Sequence, residues 1–176
     1  MQKIASNSKT PSDILGSARA HEDARVRLAA FTNPKTSVKE RVNFIKNRDN
    51  AQSIHTHAMN MDAFNTMSQN IPHHEIKKVL GDLNNHVHDP NENDYFNGLS
   101  KQKFAESLIS KSDSPELHSE FVNHPDRHVR EAAFQSRFAK RLTRADIRAG
   151  IKDPDGRVRG EAKARKNYVY ELTGNA

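Results

Sequence analysis

An all-α protein built from repeated helix–turn–helix units is what this sequence predicts, and three observations predict it. The phrase HEDARVRLAAF (His21–Phe31) returns about a hundred residues later as HPDRHVREAAF (His124–Phe134), with seven of eleven positions identical. A weaker copy, DPDGRVRGEAKAR, spans Asp153–Arg165. In all three copies an Asp stands three residues before a Val-Arg pair: Asp23 before Val26, Asp126 before Val129, Asp155 before Val158. An Asp followed by Val-Arg and then Ala reads as a helix cap and the helix that it opens.

Taken in order, residues 1–9 are expected to be a flexible N-terminus. Thr10-Pro11-Ser12-Asp13 reads as a capping box with Pro at the first helical position. The first copy follows, with Ala29 and Ala30 small enough to let a second helix approach. Asn33-Pro34 breaks it. Ser37-x-x-Glu40 is a second capping box, opening a helix with Val38, Val42 and Ile45 on one face. Asp49 ends the unit 26 residues after Asp23, so the repeat length lies in the twenties.

The middle is less regular. Met59, Met61, Phe64 and Met67 form an apolar stripe that reads as core. Ile76, Val79, Leu80 and Leu83 form a helical face after Pro72. Residues 81–98, rich in Asn, Asp and Gly, read as a long loop or a break between sub-arrays. Phe104, Leu108 and Ile109 mark another helix. Ser114-Pro115-Glu116 caps the next, which carries Leu117 and Phe121. Thr143-x-x-Asp146 opens a last repeat with Ile147 and Ile151, running into Asp153-Pro154. The expected organisation is a flexible 1–9, N-terminal helical repeats over 10–80, the 81–98 break and basic helical repeats over 99–176, together one continuous domain.

These repeats resemble the HEAT-like repeats, in particular the leucine-rich repeat variant with its D-P-x-x-x-V-R-x-x-x-A pattern, over residues 21–49 and 123–165. Asp49…Ile54-His55 and Asp82…Val87-His88 keep the Asp-to-apolar spacing without the Arg and count as worn copies. The resemblance implies a short right-handed α-solenoid of helix pairs with a concave face. In such a stack each repeat buries Val and Ala against its neighbour, because a lone repeat cannot bury its own apolar face. Arg27, Arg130 and Arg159 read as structural, forming a ladder with the cap aspartates.

Composition narrows the chemistry. With no Cys there is neither a disulfide nor a thiolate nucleophile, and the N-terminus has no apolar stretch of signal-peptide length. A cytoplasmic protein without a membrane span is expected. The ten histidines offer tempting spacings (His55-x-His57, His73-His74, His86-x-His88, His124 with His128), but none belongs to a metal-binding pattern. No glycine-rich phosphate loop or nucleophile elbow occurs. No catalytic residue, cofactor or metal is therefore expected, and the protein is read as not an enzyme. The HEAT-like alkylpurine DNA glycosylases share the implied architecture, with aromatic pockets around an acidic residue. This chain has no Trp and only Tyr95, Tyr168 and Tyr170, and their site has no residue-by-residue counterpart here. That activity stays a remote alternative.

Charge is the informative feature. Residues 1–120 hold 15 Lys/Arg and 15 Asp/Glu, whereas 121–176 hold 13 and 7, so the whole +6 excess lies in the last third. Within it, Arg137 and Arg141, then Arg144 and Arg148, stand four apart, and Arg159, Lys163 and Lys166 follow i, i+4, i+7. Such spacing puts cations on one helix face, and cations so placed suit phosphates by charge and not by base identity. The candidate nucleic-acid contacts are Arg137, Lys140, Arg141, Arg144, Arg148, Arg157, Lys163 and Lys166. Few aromatics interleave, which favours duplex or structured RNA over base stacking on a single strand. The alternative is a protein-binding adaptor or inhibitor, or a component of a larger complex, that docks the same basic surface on an acidic partner.

Overall fold

The computed structural model describes residues 1–47, 50, 61–69, 71–83, 95–111, 113–135 and 142–173, with side chains left out at 61–62, 95–97 and 167–173. Among the described residues there are eleven α-helices and no strand. They are α1 (Gln2–Ala5), α2 (Ser12–Arg19), α3 (Ala24–Phe31), α4 (Val38–Lys46), α5 (Met61–Gln69), α6 (Ile76–Leu83), α7 (Tyr95–Ile109), α8 (Pro115–Val122), α9 (Arg127–Ala133), α10 (Arg144–Ile151) and α11 (Gly156–Thr173), with one 3-10 turn at His73–Glu75. No described helix is long and apolar enough to cross a membrane. The chain divides into two compact units, Met1–Phe104 and Ala105–Ala176, the division falling inside α7.

In the first unit Ala5, Leu15, Ala18, Val26, Ala29 and Ala30 form one apolar cluster. Phe31 stacks on Phe44 with ring centroids 4.0 Å apart. Ile76, Val79, Leu80 and Leu83 are buried along one side of α6. In the second unit the core comprises Leu117, Phe121, Val129, Ala132, Ala133, Phe134, Ile147, Val158 and Ala162. Val26, Val129 and Val158 are thus buried alike, at 4%, 0% and 0% exposure, as the repeated phrase predicts.

The expected caps are present at Ser37 and Thr143, each a reciprocal capping box, with Glu40 and Asp146 returning the bond. At residues 10–13 the structure differs. Pro11 is the residue before α2 and makes no side-chain cap, and the Thr10 hydroxyl donates to the Ile4 carbonyl instead. Residues 1–9, expected as a flexible terminus, contain α1, and Ala5 is fully buried. The reason is a turn that the sequence carries twice. Asn7 Oδ1 accepts from Lys9 N at 2.8 Å, and 26 residues later Asn33 Oδ1 accepts from Lys35 N at 3.0 Å. Thr36 repeats the bond of Thr10 by donating to the Ala30 carbonyl at 2.6 Å. Asn33 then joins the two turns, its Nδ2 donating to the Ala5 and Asn7 carbonyls, both at 2.8 Å. Buried polar groups are held in place only when they are hydrogen-bonded in this way.

The segment 81–98, expected as a loop or break, is helical at both edges, since 81–83 end α6 and 95–98 begin α7. Residues 84–94 lie outside the described residues, as do Asp49, Ile54, His55 and Met59.

Candidate nucleic-acid interface

The repeated phrase builds the same joint three times. Asp23, Asp126 and Asp155 stand immediately before α3, α9 and α11 and accept the backbone N–H two residues on, at 2.8, 2.9 and 2.8 Å. The cap is itself held from two residues before. His21 Nδ1 accepts from Asp23 N at 3.0 Å, His124 Nδ1 from Asp126 N at 3.1 Å, and Asp153 Oδ1 from Asp155 N at 2.8 Å. The repeated arginine does not pair with its own cap. Its Nη1 donates backwards to two carbonyls: Arg27 to His21 and Glu22, Arg130 to His124 and Pro125, Arg159 to Asp153 and Pro154, all within 2.7–2.8 Å.

The outer edge of the guanidinium reaches forward. Arg27 Nε donates to Asn50 Oδ1 at 3.0 Å, just past α4. Arg130 grips Asp153, just past α10, through Nε and Nη2 at 2.7 and 3.0 Å. That pair is nearly sealed, with side-chain exposures of 13% and 7%. Arg127 adds a second link to the following turn, 3.3 Å from Asp155. The expected ladder with the cap aspartates does not form: two backbone carbonyls hold each of Arg27, Arg130 and Arg159, with Asn50 added for Arg27 and Asp153 for Arg130.

Three of the four acidic groups in this region are committed to the same joints, and the fourth pairs along α11. Between residues 142 and 166 there are four. Asp146 closes its capping box, Asp153 takes Arg130, Asp155 caps α11 and takes Arg127, and Glu161 lies 3.8 Å from Arg165. Burial pushes the Asp155 carboxyl up, but the N–H groups of Val158 and Arg157 and the Arg127 charge outweigh it and hold the group below its ordinary range. Asp23 is held well below the usual carboxylate range by its hydrogen bonds from Arg25.

Against that background the sequence-selected cations fall into three sets. Arg137, Lys140 and Arg141 lie outside the described residues. Arg144 and Arg148 stand one turn apart on α10, half-buried and exposed respectively; Lys152, exposed just past that helix, follows four residues later and was not among the sequence candidates. Arg157, Lys163 and Lys166 are exposed on α11. Arg157 acts on Glu131 of α9, a half-buried carboxyl that burial pushes above its ordinary value, with Arg157 opposing the rise and Glu161 adding to it. The α9–α11 side therefore carries mixed signs, whereas the one acid of α10, Asp146, is buried.

Two further residues escaped the sequence reading. Arg41 is buried at 1% exposure, donating to the Met67 and Asn33 carbonyls at 2.6 and 2.9 Å, and burial lowers its affinity for the proton. Asn33 was read only as a break. The signal for it was available in the shared Asn-x-Lys-Thr of residues 7–10 and 33–36. No group of three His, Asp or Glu among the described residues is placed to hold a metal ion. No family model matches the chain, and neither a curated protein nor a solved structure matches it.

Proposed function

We propose that this chain is a short right-handed α-solenoid of HEAT-like helix pairs that contacts nucleic-acid phosphates without reading base sequence. One observation carries the reading. The one acid of α10, Asp146, is turned into its capping box, which leaves Arg148 and Lys152 exposed on that side, while Arg157, Lys163 and Lys166 are exposed on α11, which also carries Glu161. The α10 side, being of one sign, attracts a polyanion by charge and releases its counterions. The solenoid part of the reading rests on the thrice-built Asp cap and arginine clamp. Arg137, Lys140, Arg141 and Arg144 belong to the same proposed surface by sequence. The proposed role is binding.

Fluorescence anisotropy with mixed-sequence duplex DNA and duplex RNA tests the reading. Each cation that neutralises a phosphate contributes about one to the slope of log K against log salt. Arg148→Gln with Lys152→Gln should lower that slope by about two, equally for unrelated sequences, with melting unchanged. Absence of binding at low salt would overturn the proposal. A second reading, docking on an acidic protein, is favoured by the mixed-sign set of Arg127, Glu131, Arg157 and Glu161, which suits a partner of patterned charge better than a uniform polyanion. In that case the same substitutions leave nucleic-acid affinity unmoved.

A further inference from the structure

The geometry points to Arg159 as an open rung, a prepositioned guanidinium fork that takes a carboxylate from a partner protein presenting a helix and an acidic turn. The three equivalent arginines share the inner half of their bonding. In each, Nη1 is fixed by two carbonyls of the preceding turn. In two of them the outer edge is filled by a side-chain oxygen just beyond the next helix, Asn50 for Arg27 and Asp153 for Arg130. Arg159 has the same inner clamp and stands half-exposed at the first turn of α11. Its Nε and Nη2 have no acceptor among the described residues. A guanidinium held this way has lost most of its rotamer freedom already, so a carboxylate arriving in the plane of the fork meets two parallel donors at little further entropic expense.

The surroundings repeat as well. The Arg130–Asp153 pair lies in a groove of about 420 Å³ whose one wall is Val122, Asn123, His124 and Pro125 and whose other is Ala149, Lys152, Asp153 and Pro154. Twenty-nine residues on from the first wall, as from Asp126 to Asp155, stand Ile151, Lys152, Asp153 and Pro154, leading to Arg159. Ile151 is half-exposed, and Lys152 and Pro154 are exposed. The chain thus shows what fills such a wall: a helix followed by a turn with Asp at its second position past the helix end, as α10 supplies to Arg130. The in-chain precedent at Arg130 is a carboxylate, that of Asp153, held by two donors of one fork.

The test uses the 176-residue chain with ¹⁵N-labelled arginine side chains and follows the Nε–Hε resonances by NMR. The probe is a capped peptide of residues 143–156, the segment that occupies Arg130 within the chain. The resonance of Arg159 should shift on titration, while those of exposed Arg148 and Arg157 stay in place. The same peptide carrying Asp153→Asn should lose most of the response. Arg159→Lys, which keeps the charge and removes the fork, should abolish binding in a chain whose circular dichroism still shows the folded helical content. Equal shifts at Arg148, Arg157 and Arg159, or no shift at Arg159, would overturn the assignment. So would a larger response of Arg159 to inorganic phosphate than to the peptide, which would place Arg159 in the phosphate surface instead.

Discussion

Gly150 of α10 faces the ring of Phe134 so closely that a Cβ built on it would lie 2.6 Å from Ala162 Cβ and nearer still to Phe134 Cζ. The first unit solves the same position differently. Phe31, the counterpart of Phe134, stacks on Phe44, seven residues past its cap Ser37 as Gly150 is seven past Thr143. Ala is ordinarily the better helix former by about 1 kcal/mol. Gly150→Ala should nonetheless destabilise the protein by about 1–3 kcal/mol through overpacking. Chemical denaturation measures it, and Phe134→Leu in the same background should recover part of the loss. A stabilised Gly150→Ala variant would refute this packing.

Asp153 should matter more than a helix cap such as Asp126. Removing it leaves Arg130 charged in a site of 13% exposure, and breaking such a pair costs about 3 kcal/mol or more. Asp126→Ala, which removes a helix cap, should cost about 1 kcal/mol. The comparison is made by urea melts of the two variants. Equal losses would show that the Arg130 fork finds another partner.

Val129 is fully buried at the start of α9. Val129→Asp should cost several kcal/mol, on the order of an unpaired charge placed in a core. Thermal unfolding with circular dichroism reads it, and a melting point within a few degrees of the parent would contradict the packing.

Glu131 sets a pH dependence of known sign. Burial raises its carboxyl above the ordinary value, so the folded state binds the proton more tightly than the unfolded one. Ionised Glu131 therefore opposes folding once pH exceeds the unfolded-state value of about 4.3. Glu131→Gln should raise the melting point at pH 7, and the gain should vanish below about pH 4, where both states are protonated. The lowered carboxyls of Asp23 and Asp155 act oppositely, their contribution being present above about pH 4 and lost as pH falls through their folded values. A loss of stability at pH 7 for Glu131→Gln would reverse the sign argued here.

Much of the local structure was legible in the sequence because it depends on neighbours. The boxes at Ser37 and Thr143 and the caps at Asp23, Asp126 and Asp155 are short-range patterns, and the burial of Val26, Val129 and Val158 follows from a period. What escaped depends on partners far along the chain. Arg41 looks like a surface residue until Met67 and Asn33 turn their carbonyls to it. In α7 the apolar spacing marks Phe104, Leu108 and Ile109, yet Lys101, Gln102, Glu106 and Ser107 are buried too, which no single-face pattern conveys. For the candidate surface, the sequence supplied the excess of cations. It could not show that Asp146, Asp153 and Asp155 are withdrawn into the joints.

The spacing of the caps has one more consequence. Twelve positions separate Ser114 from Asp126 and Thr143 from Asp155, so the step within a helix pair is constant. Between pairs the step varies: fourteen positions from Asp23 to Ser37, seventeen from Asp126 to Thr143. The wider span is the one in which Arg137, Lys140 and Arg141 occur. Lengthening a connection costs little closure entropy, whereas altering the inner step would pull Asp153 off Arg130. The protein accordingly has a hard dimension and a soft one: charge can be added or removed at the joint between pairs while the interlocking turns keep their register.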